Sequence, residues 1–362
     1  MKVVTFGEIM GRLNPDGFLR LNQAMPGQLN ITFAGAEANV AASLSILGHS
    51  AIFVTALPTH GIADACVANL RGLGINTDFI VRTEKGRLGL YFVETGANQR
   101  PGKVVYDRSG ASITLVESTE YEWDNAFDKA DWFHTTGITP SLAKISSDAA
   151  LYAAKKAKKL GLTVSCDLNF RKKLWKWDES LKPNELAQIV MRKLLPFVDV
   201  VIANEEDVSD VLDIKAGDTD VYAGKLDIEK YPIVAKEIIR QFPNVSKVAI
   251  TLRGSISATH NTWGAMLLDR DSDQRFFAPL EDGKYAPYQI KNIVDRVGGG
   301  DSFAAGLIFA LSSNEYKTFS EKLSFAVAAS CLAHSIVGDF NYSTKSEVDA
   351  LMRGSASGRV IR

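Results

Sequence analysis

Apolar residues fall along this chain in two alternating rhythms. Short β-branched runs at Lys2–Phe6, Ala51–Thr55, Asp131–His134, Thr163–Asp167, Val198–Ala203 and Lys247–Thr251 are mostly apolar without alternation. Such runs are expected where helices cover both faces of a sheet. Stretches with helical spacing lie between them. Ala36–Leu47 places Val40, Leu44 and Leu47 on one stripe, and Gly48 suits a helix stop. Asp148–Leu160 carries Lys155, Lys156, Lys158 and Lys159 near its end, where cations complement the helix dipole, and Gly161 closes it. Strands alternating with helices predict an α/β fold with a largely parallel sheet.

Two regions break that rhythm. Residues 11–33 read as irregular. Residues 88–116 hold two β-runs, Leu88–Glu94 and Lys103–Tyr106, joined by a turn-rich segment, which is the pattern of a hairpin. Together the two regions predict a small β-rich lid over the strand ends. Asp213–Tyr231 and Asp269–Tyr288 are polar and turn-rich and read as surface loops.

Composition narrows the function classes. A chain of 362 residues can bury a full core without staples. Lys and Arg total 41 against 42 Asp and Glu, which lacks the basic excess of a dedicated nucleic-acid binder. Three scattered cysteines, Cys66, Cys166 and Cys331, are too few for a disulfide framework and read as buried thiols in a reducing compartment. The most apolar helical stretch, Ser302–Leu311, is about half the length a bilayer needs. The start, Met1-Lys2-Val3-Val4-Thr5-Phe6-Gly7, reads as a buried strand and not as a signal peptide. These readings predict a cytoplasmic protein with neither membrane nor nucleic acid as partner.

The strongest local signal is Asp295-Arg296-Val297-Gly298-Gly299-Gly300-Asp301-Ser302-Phe303, followed by an apolar helix from Ala304 to Leu311. Three glycines let the backbone approach a ligand closely. The unpaired N–H groups of the helix's first turn, with its dipole, favour an anion such as phosphate. A carboxylate at Asp301 would repel phosphate unless it does chemistry, and beside an anion hole it could take a proton from an attacking hydroxyl. The competing reading is a glycine-rich turn with Asp301 as a helix cap. The segment is not a P-loop, because the Lys-Ser/Thr pair is missing. It also lacks the dinucleotide spacing after the first strand. A second segment, Phe33-Ala34-Gly35-Ala36-Glu37-Ala38-Asn39, opens a helix. Gly35 and Asn39 at helical spacing could offer a backbone N–H and an amide to polyol hydroxyls, or simply pack.

These two segments, in this order and this far apart, resemble the two signatures of the ribokinase-like (PfkB) carbohydrate kinases, whose second signature usually reads Gly-Ala-Gly-Asp. The resemblance runs from Gly7-Glu8 to the helix around Phe325–His334. It implies one doubly wound domain over residues 1–362, flanked by helices, with the lid formed by about 11–33 and 88–116. It implies ATP and Mg²⁺ and leaves room for a monovalent cation. Gly7-Glu8-Ile9-Met10 with Arg12-Leu13, Tyr91 with Tyr106-Asp107-Arg108, and Asp167-Leu168-Asn169-Phe170-Arg171 are similar to the subgroup acting on 2-keto-3-deoxygluconate. That pattern implies Arg108 and Arg171 near the acid end of a sugar acid, with Tyr91 and Tyr106 supplying hydroxyls and ring faces. A guanidinium leaving a strand's C-terminal end is suited to a carboxylate or phosphate. Another sugar such as 2-keto-3-deoxygalactonate, fructose or ribose, or a non-catalytic sugar-acid sensor, is the competing reading.

The family's metal-linked Asn-x-x-Glu matches Asn204-Glu205-Glu206-Asp207, with Asp in place of Glu. Its implied role is to hold Mg²⁺ through water at Asn204 and Asp207, against the bland reading of an acidic helix start. Thr251, Arg253 and Gly254 are implied contacts of the nucleotide, as are Asn204, Gly298 and Gly300. Adenine is expected near the helix Phe325–Ser335, with Ala328 and Ala329 giving access and His334 a packed histidine. Asp301 is the implied general base and Gly298, Gly299 and Gly300 the anion hole for phosphoryl transfer to the C6 hydroxyl. A homo-oligomer, by default a dimer through the lid, is expected.

Overall fold

The computed structural model describes residues 1–214 and 228–354, apart from the side chain of Glu205. The main sheet has nine strands. Its parallel part runs Lys247–Ser257, Val200–Asn204, Thr163–Asp167, Trp132–Thr136, Lys2–Phe6, Ser50–Val54. His260–Asp269, Gln274–Ala278 and Tyr288–Lys291 continue it as antiparallel strands. Successive side chains go to opposite faces, and both faces are buried. Val4, Phe6, Ile52, Val54 and Val201 enter one core, while Val3, Ala51, Phe53, Val200 and Ile202 enter the other. This accounts for runs without alternation.

The first core is closed by helices Lys144–Lys159, Pro183–Leu194, Glu205–Leu212 and Tyr231–Gln241, the second by Ala36–Ile46, Gly61–Gly72, Gly299–Ser312 and Phe319–Ala333. From Lys2–Phe6 the chain adds Ser50–Val54 on one side and later Trp132–Thr136 on the other. The strand order therefore reverses at Lys2–Phe6, the position where open α/β sheets form a ligand crevice beyond their carboxyl ends.

A second, four-stranded sheet has the order Asn30–Ala34, Met10–Asn14, Gly89–Glu94, Lys103–Asp107. Residues 11–33, read as irregular, thus contribute two strands and the helix Leu21–Ala24. The apolar pattern misses Met10–Asn14 because its buried centre is Arg12, a charged residue. Asp269–Tyr288 is likewise not a loop. Gln274–Ala278 completes the sheet edge, and Leu280–Glu281 pairs with Lys284–Tyr285. Edge strands keep one side toward solvent, so polar residues are compatible with pairing there. The same argument explains why the strand from Lys247 runs past Thr251 to Ser257, since His260–Asp269 folds back on it. Of the segment Asp213–Tyr231, residues 215–227 lie outside the described residues, and Tyr231 opens a helix.

Candidate active site

The carboxyl ends of the parallel strands, the second sheet and the glycine turn enclose a cleft of about 340 Å³. Gly298 is the N-cap of the helix Gly299–Ser312 and has φ of +83°, a left-handed conformation that only glycine adopts cheaply. A Cβ there would also stand 2.3 Å from the carbonyl oxygen of Asp339. The first helical bond runs from Ser302 N–H to the Gly298 carbonyl at 2.9 Å. The N–H groups of Gly298, Gly299, Gly300 and Asp301 therefore precede the helical ladder and have no acceptor within it. Gly300 faces open space. The turn is an anion cradle with Asp301 inside its first turn.

Asp301 is buried, and its Oδ2 accepts a 2.6 Å hydrogen bond from Asn39 Nδ2. Asn39 Oδ1 in turn accepts the Gly35 N–H at 3.2 Å. Gly35 and Asn39, read as donors to a polyol, thus hold each other and Asp301 in this structure. Glycine at 35 permits close packing, since a Cβ would lie 1.9 Å from the Glu8 carbonyl oxygen. Burial pushes the Asp301 carboxyl up to about 7. The Asn39 bond opposes that rise, the carboxylates of Asp339 and Glu37 add to it, and Arg171 offsets part of it.

Three acids line the cleft floor beside Arg171: Asp167, Asp207 and Asp301. Burial, then the charges of Asp207 and Asp301, raise the Asp167 carboxyl well above its usual range. Burial pushes Asp207 to about 6 against the pull of Arg171. Asn204 caps its helix, accepting the N–H groups of Glu206 and Asp207 at 2.9 Å each. Asp207 accepts the N–H groups of Asn204 at 3.5 Å and Phe170 at 3.0 Å. The Asn-x-x-Asp stretch forms a capping box at an acidic helix start, and its Asp borders the cleft. Among the described residues no group of three or more His, Cys, Asp or Glu is arranged to hold a metal directly.

On the lid side, Tyr91 and Tyr106 face each other across adjacent strands, and both border the cleft. Tyr91 is buried and its hydroxyl, expected to meet a ligand, donates instead to Asp339 Oδ2 at 2.8 Å. Tyr106 is exposed, with the Arg108 guanidinium over its ring. Arg108 borders the cleft but pairs with the buried Glu8 carboxylate. That leaves Arg171, whose Nη1 donates to the Phe170 carbonyl at 2.9 Å, as the cation without an ion pair on this side among the described residues.

On the far side Thr251, Arg253 and Arg296 border the cleft. Neither Arg253 nor Arg296 has an acidic partner among the described residues. Arg296 donates to Asn261 Oδ1 at 2.6 Å, and burial together with Arg253 lowers its affinity for its proton. Arg296 lies two residues before the three glycines, where local sequence gives it no role, and only the fold brings it to the cleft. Gly254 does not reach the cleft. It pairs with Thr262 in the hairpin, its N–H donating to Thr262 Oγ1 at 3.0 Å. Ala328 and Ala329 are buried in helix packing and give no access. His334 is packed as expected, with Nδ1 at 2.8 Å from the Ser330 carbonyl and its ring against Trp263.

Unpaired amides at the glycine turn, with the Asp301 carboxyl among them, suit an anionic group such as phosphate. Residues 1–252 match the model of the pfkB family carbohydrate kinases, and the chain belongs to that family. It is a carbohydrate kinase on a ribokinase-like fold. It is 43% identical to the solved 2-dehydro-3-deoxygluconokinase of Thermotoga maritima, with a TM-score of 0.86 over 98% of this chain and 100% of that one. It is 30% identical to the 2-dehydro-3-deoxygalactonokinase of Haloferax volcanii, over 99% of this chain and 98% of that protein. A ribokinase-fold chain from E. coli, solved in complex with ATP and Mg²⁺, matches at 19% identity and a TM-score of 0.74, covering 98% of this chain and 99% of that one. No helix among the described residues is long and apolar enough to cross a membrane.

Proposed function

We propose that this kinase transfers the γ-phosphoryl group of ATP to the C6 hydroxyl of 2-keto-3-deoxygluconate. The observation that carries the reading is Asp301, buried where four unpaired N–H groups converge, with its carboxyl raised to about 7. A base with a pKa near the working pH combines a sizeable ionised fraction with real proton affinity. Asp301 takes the proton as the sugar oxygen bonds to phosphorus and the bond to the ADP oxygen breaks. The N–H groups of Gly298, Gly299 and Gly300 and the helix dipole hold the negative charge of the transferring group. Arg253 and Arg296 hold the other phosphates, with Thr251 beside them.

Arg171 supports the sugar-acid class. It leaves a strand end and makes no direct ion pair among the described residues, although Asp167, Asp207 and Asp301 share its part of the cleft. A ligand carboxylate would give its guanidinium a direct partner that a neutral sugar does not offer. Arg108, already neutralised by Glu8, presents with Tyr106 a surface for hydroxyls. The oxygen-only character of Asp207 and Glu206 at the cleft fits a hard, water-keeping cation, and Mg²⁺ bound with the nucleotide would be met there through water. When bound, it supplies charge neutralisation to the phosphates. The lid excludes water, which limits ATP hydrolysis.

The full-length likeness to a 2-dehydro-3-deoxygalactonokinase favours a second reading in which the C4 epimer is the better substrate. ADP formation measured with both epimers, fructose and ribose tests both. The sugar-acid reading predicts the highest kcat/KM on a keto-deoxy acid, and higher activity on either neutral sugar overturns it. Lys103–Asp107, an edge strand exposed along its length and bearing Val104 and Val105, supports a homodimer through the lid.

A further inference from the structure

We propose that Arg12 is a positioning residue that sets the glycine turn from the lid. The proposal rests on the phosphoryl-transfer reading of that turn. Arg12 sits mid-strand in the lid and is 1% exposed, which is unusual for the most polar of side chains. Its Nη2 donates to Asp295 and its Nη1 to Asp339. These acids flank the turn. Asp295 Oδ1 accepts the N–H groups of Arg296 at 2.8 Å and Val297 at 3.2 Å, the two residues leading into Gly298. Asp295 Oδ2 also accepts the Gly338 N–H at 3.2 Å. Asp339 backs the turn directly, its carbonyl oxygen occupying the space a Cβ at Gly298 would need. The Asp339 carboxylate is gripped a second time by Tyr91 from the neighbouring lid strand.

One planar fork thus ties a lid strand to both backbone segments that hold the anion cradle. Two buried carboxylates beside a phosphate site would otherwise repel each other and the ligand. Breaking one partner of such a group leaves an uncompensated charge, and a point-like ammonium cannot bridge two acids with the same geometry. When the lid seats the sugar, the same fork brings the cradle into register with it.

The test is steady-state kinetics of Arg12→Met and Arg12→Lys on folded protein, with Tyr91→Phe and their double variants. Arg12→Met should lower kcat by about 10- to 100-fold, the scale on which misplaced reacting groups cost rate. The KM for ATP should stay within about threefold, because Arg253 and Arg296 remain, and Arg12→Lys should restore part of kcat. Arg12→Met and Tyr91→Phe should be non-additive in kcat, since both act through Asp339. Hydrogen exchange should rise together in the lid strands and in residues 295–300. A lowered melting temperature with kcat unchanged, or faster exchange in the lid alone, overturns the proposal and leaves only a structural ion pair. Near-normal turnover of an Asp301→Asn variant would instead overturn the reading on which it rests, so the two failures are distinguishable.

Discussion

Asp301→Asn separates chemistry from stability in one substitution. The side chain keeps its size, and the new amide's oxygen can still accept from Asn39 Nδ2. The base is gone, so kcat should fall by about two to four orders of magnitude. In the wild type the rate should depend on the ionised form. Below a carboxyl pKa of about 7, kcat/KM should fall about tenfold per pH unit and level off above it.

The same burial predicts a change of the opposite sign in stability. The folded carboxyl lies at about 7 against an ordinary value of 3.8. The folded chain therefore holds a proton that the unfolded chain releases, and folding loses stability as pH rises through that window. A gap of about three units corresponds to about 4 kcal/mol once pH exceeds the folded value, an upper figure because Asp339 and Glu37 relax together with it. The amide carries no such burden. The variant should melt several degrees higher than wild type at about pH 8 and the two should converge near pH 4. ADP formation across pH and thermal melts at both pH values are the assays. Turnover near the wild-type level refutes the base, and identical melting differences at both pH values refute the argument from burial.

Arg171→Ala should raise the KM for a keto-deoxy acid roughly 10- to 100-fold, the loss of one charge-assisted hydrogen bond. It should also move the acid limb of the rate profile to higher pH, because Arg171 holds Asp301 and Asp207 down. An equal effect on fructose would break the link to a carboxylate. Gly298→Ala should destabilise the fold and impair turnover together, through a left-handed φ and a clash with Asp339. Gly300→Ala meets nothing within 4 Å and should fold normally, yet its methyl stands in the cleft mouth and should raise the KM for ATP. Wild-type melting with impaired ATP use is the signature, and unaltered kinetics would exclude contact at Gly300. Val105→Lys on the exposed lid edge should shift a dimer to monomers in sedimentation, and an unchanged sedimentation coefficient would exclude that edge as the interface.

What could be read in advance follows the range of the interactions. The six β-runs buried on both faces are legible because doubly covered strands carry mostly apolar side chains, with buried polar residues such as Thr5, His134 and Ser165 as exceptions. Gly298-Gly299-Gly300-Asp301 was legible for a similar reason. A left-handed turn and a helix start are local demands, met by adjacent residues. Charge pairing is different. Arg108 and Tyr91 looked like ligand contacts, but partners distant in sequence already hold both: Glu8 holds Arg108, and Asp339 holds Tyr91. Arg12 was invisible as a buried strand residue because its partners Asp295 and Asp339 lie at the other end of the chain. Local pattern reports what a residue needs, whereas the fold decides which group supplies it. Thus Asp301 and Arg171 could both be singled out from sequence, whereas the fold shows that Arg108 is held by Glu8 and that Arg171 makes no direct ion pair among the described residues. For the same reason, a variant that frees Arg108, Glu8→Gln, should alter sugar selectivity more than one that removes a charge from the exposed Arg87–Asp107 pair. A panel of acidic and neutral sugars would read that out, and equal selectivity in the two variants would show that pairing does not decide which arginine meets the substrate.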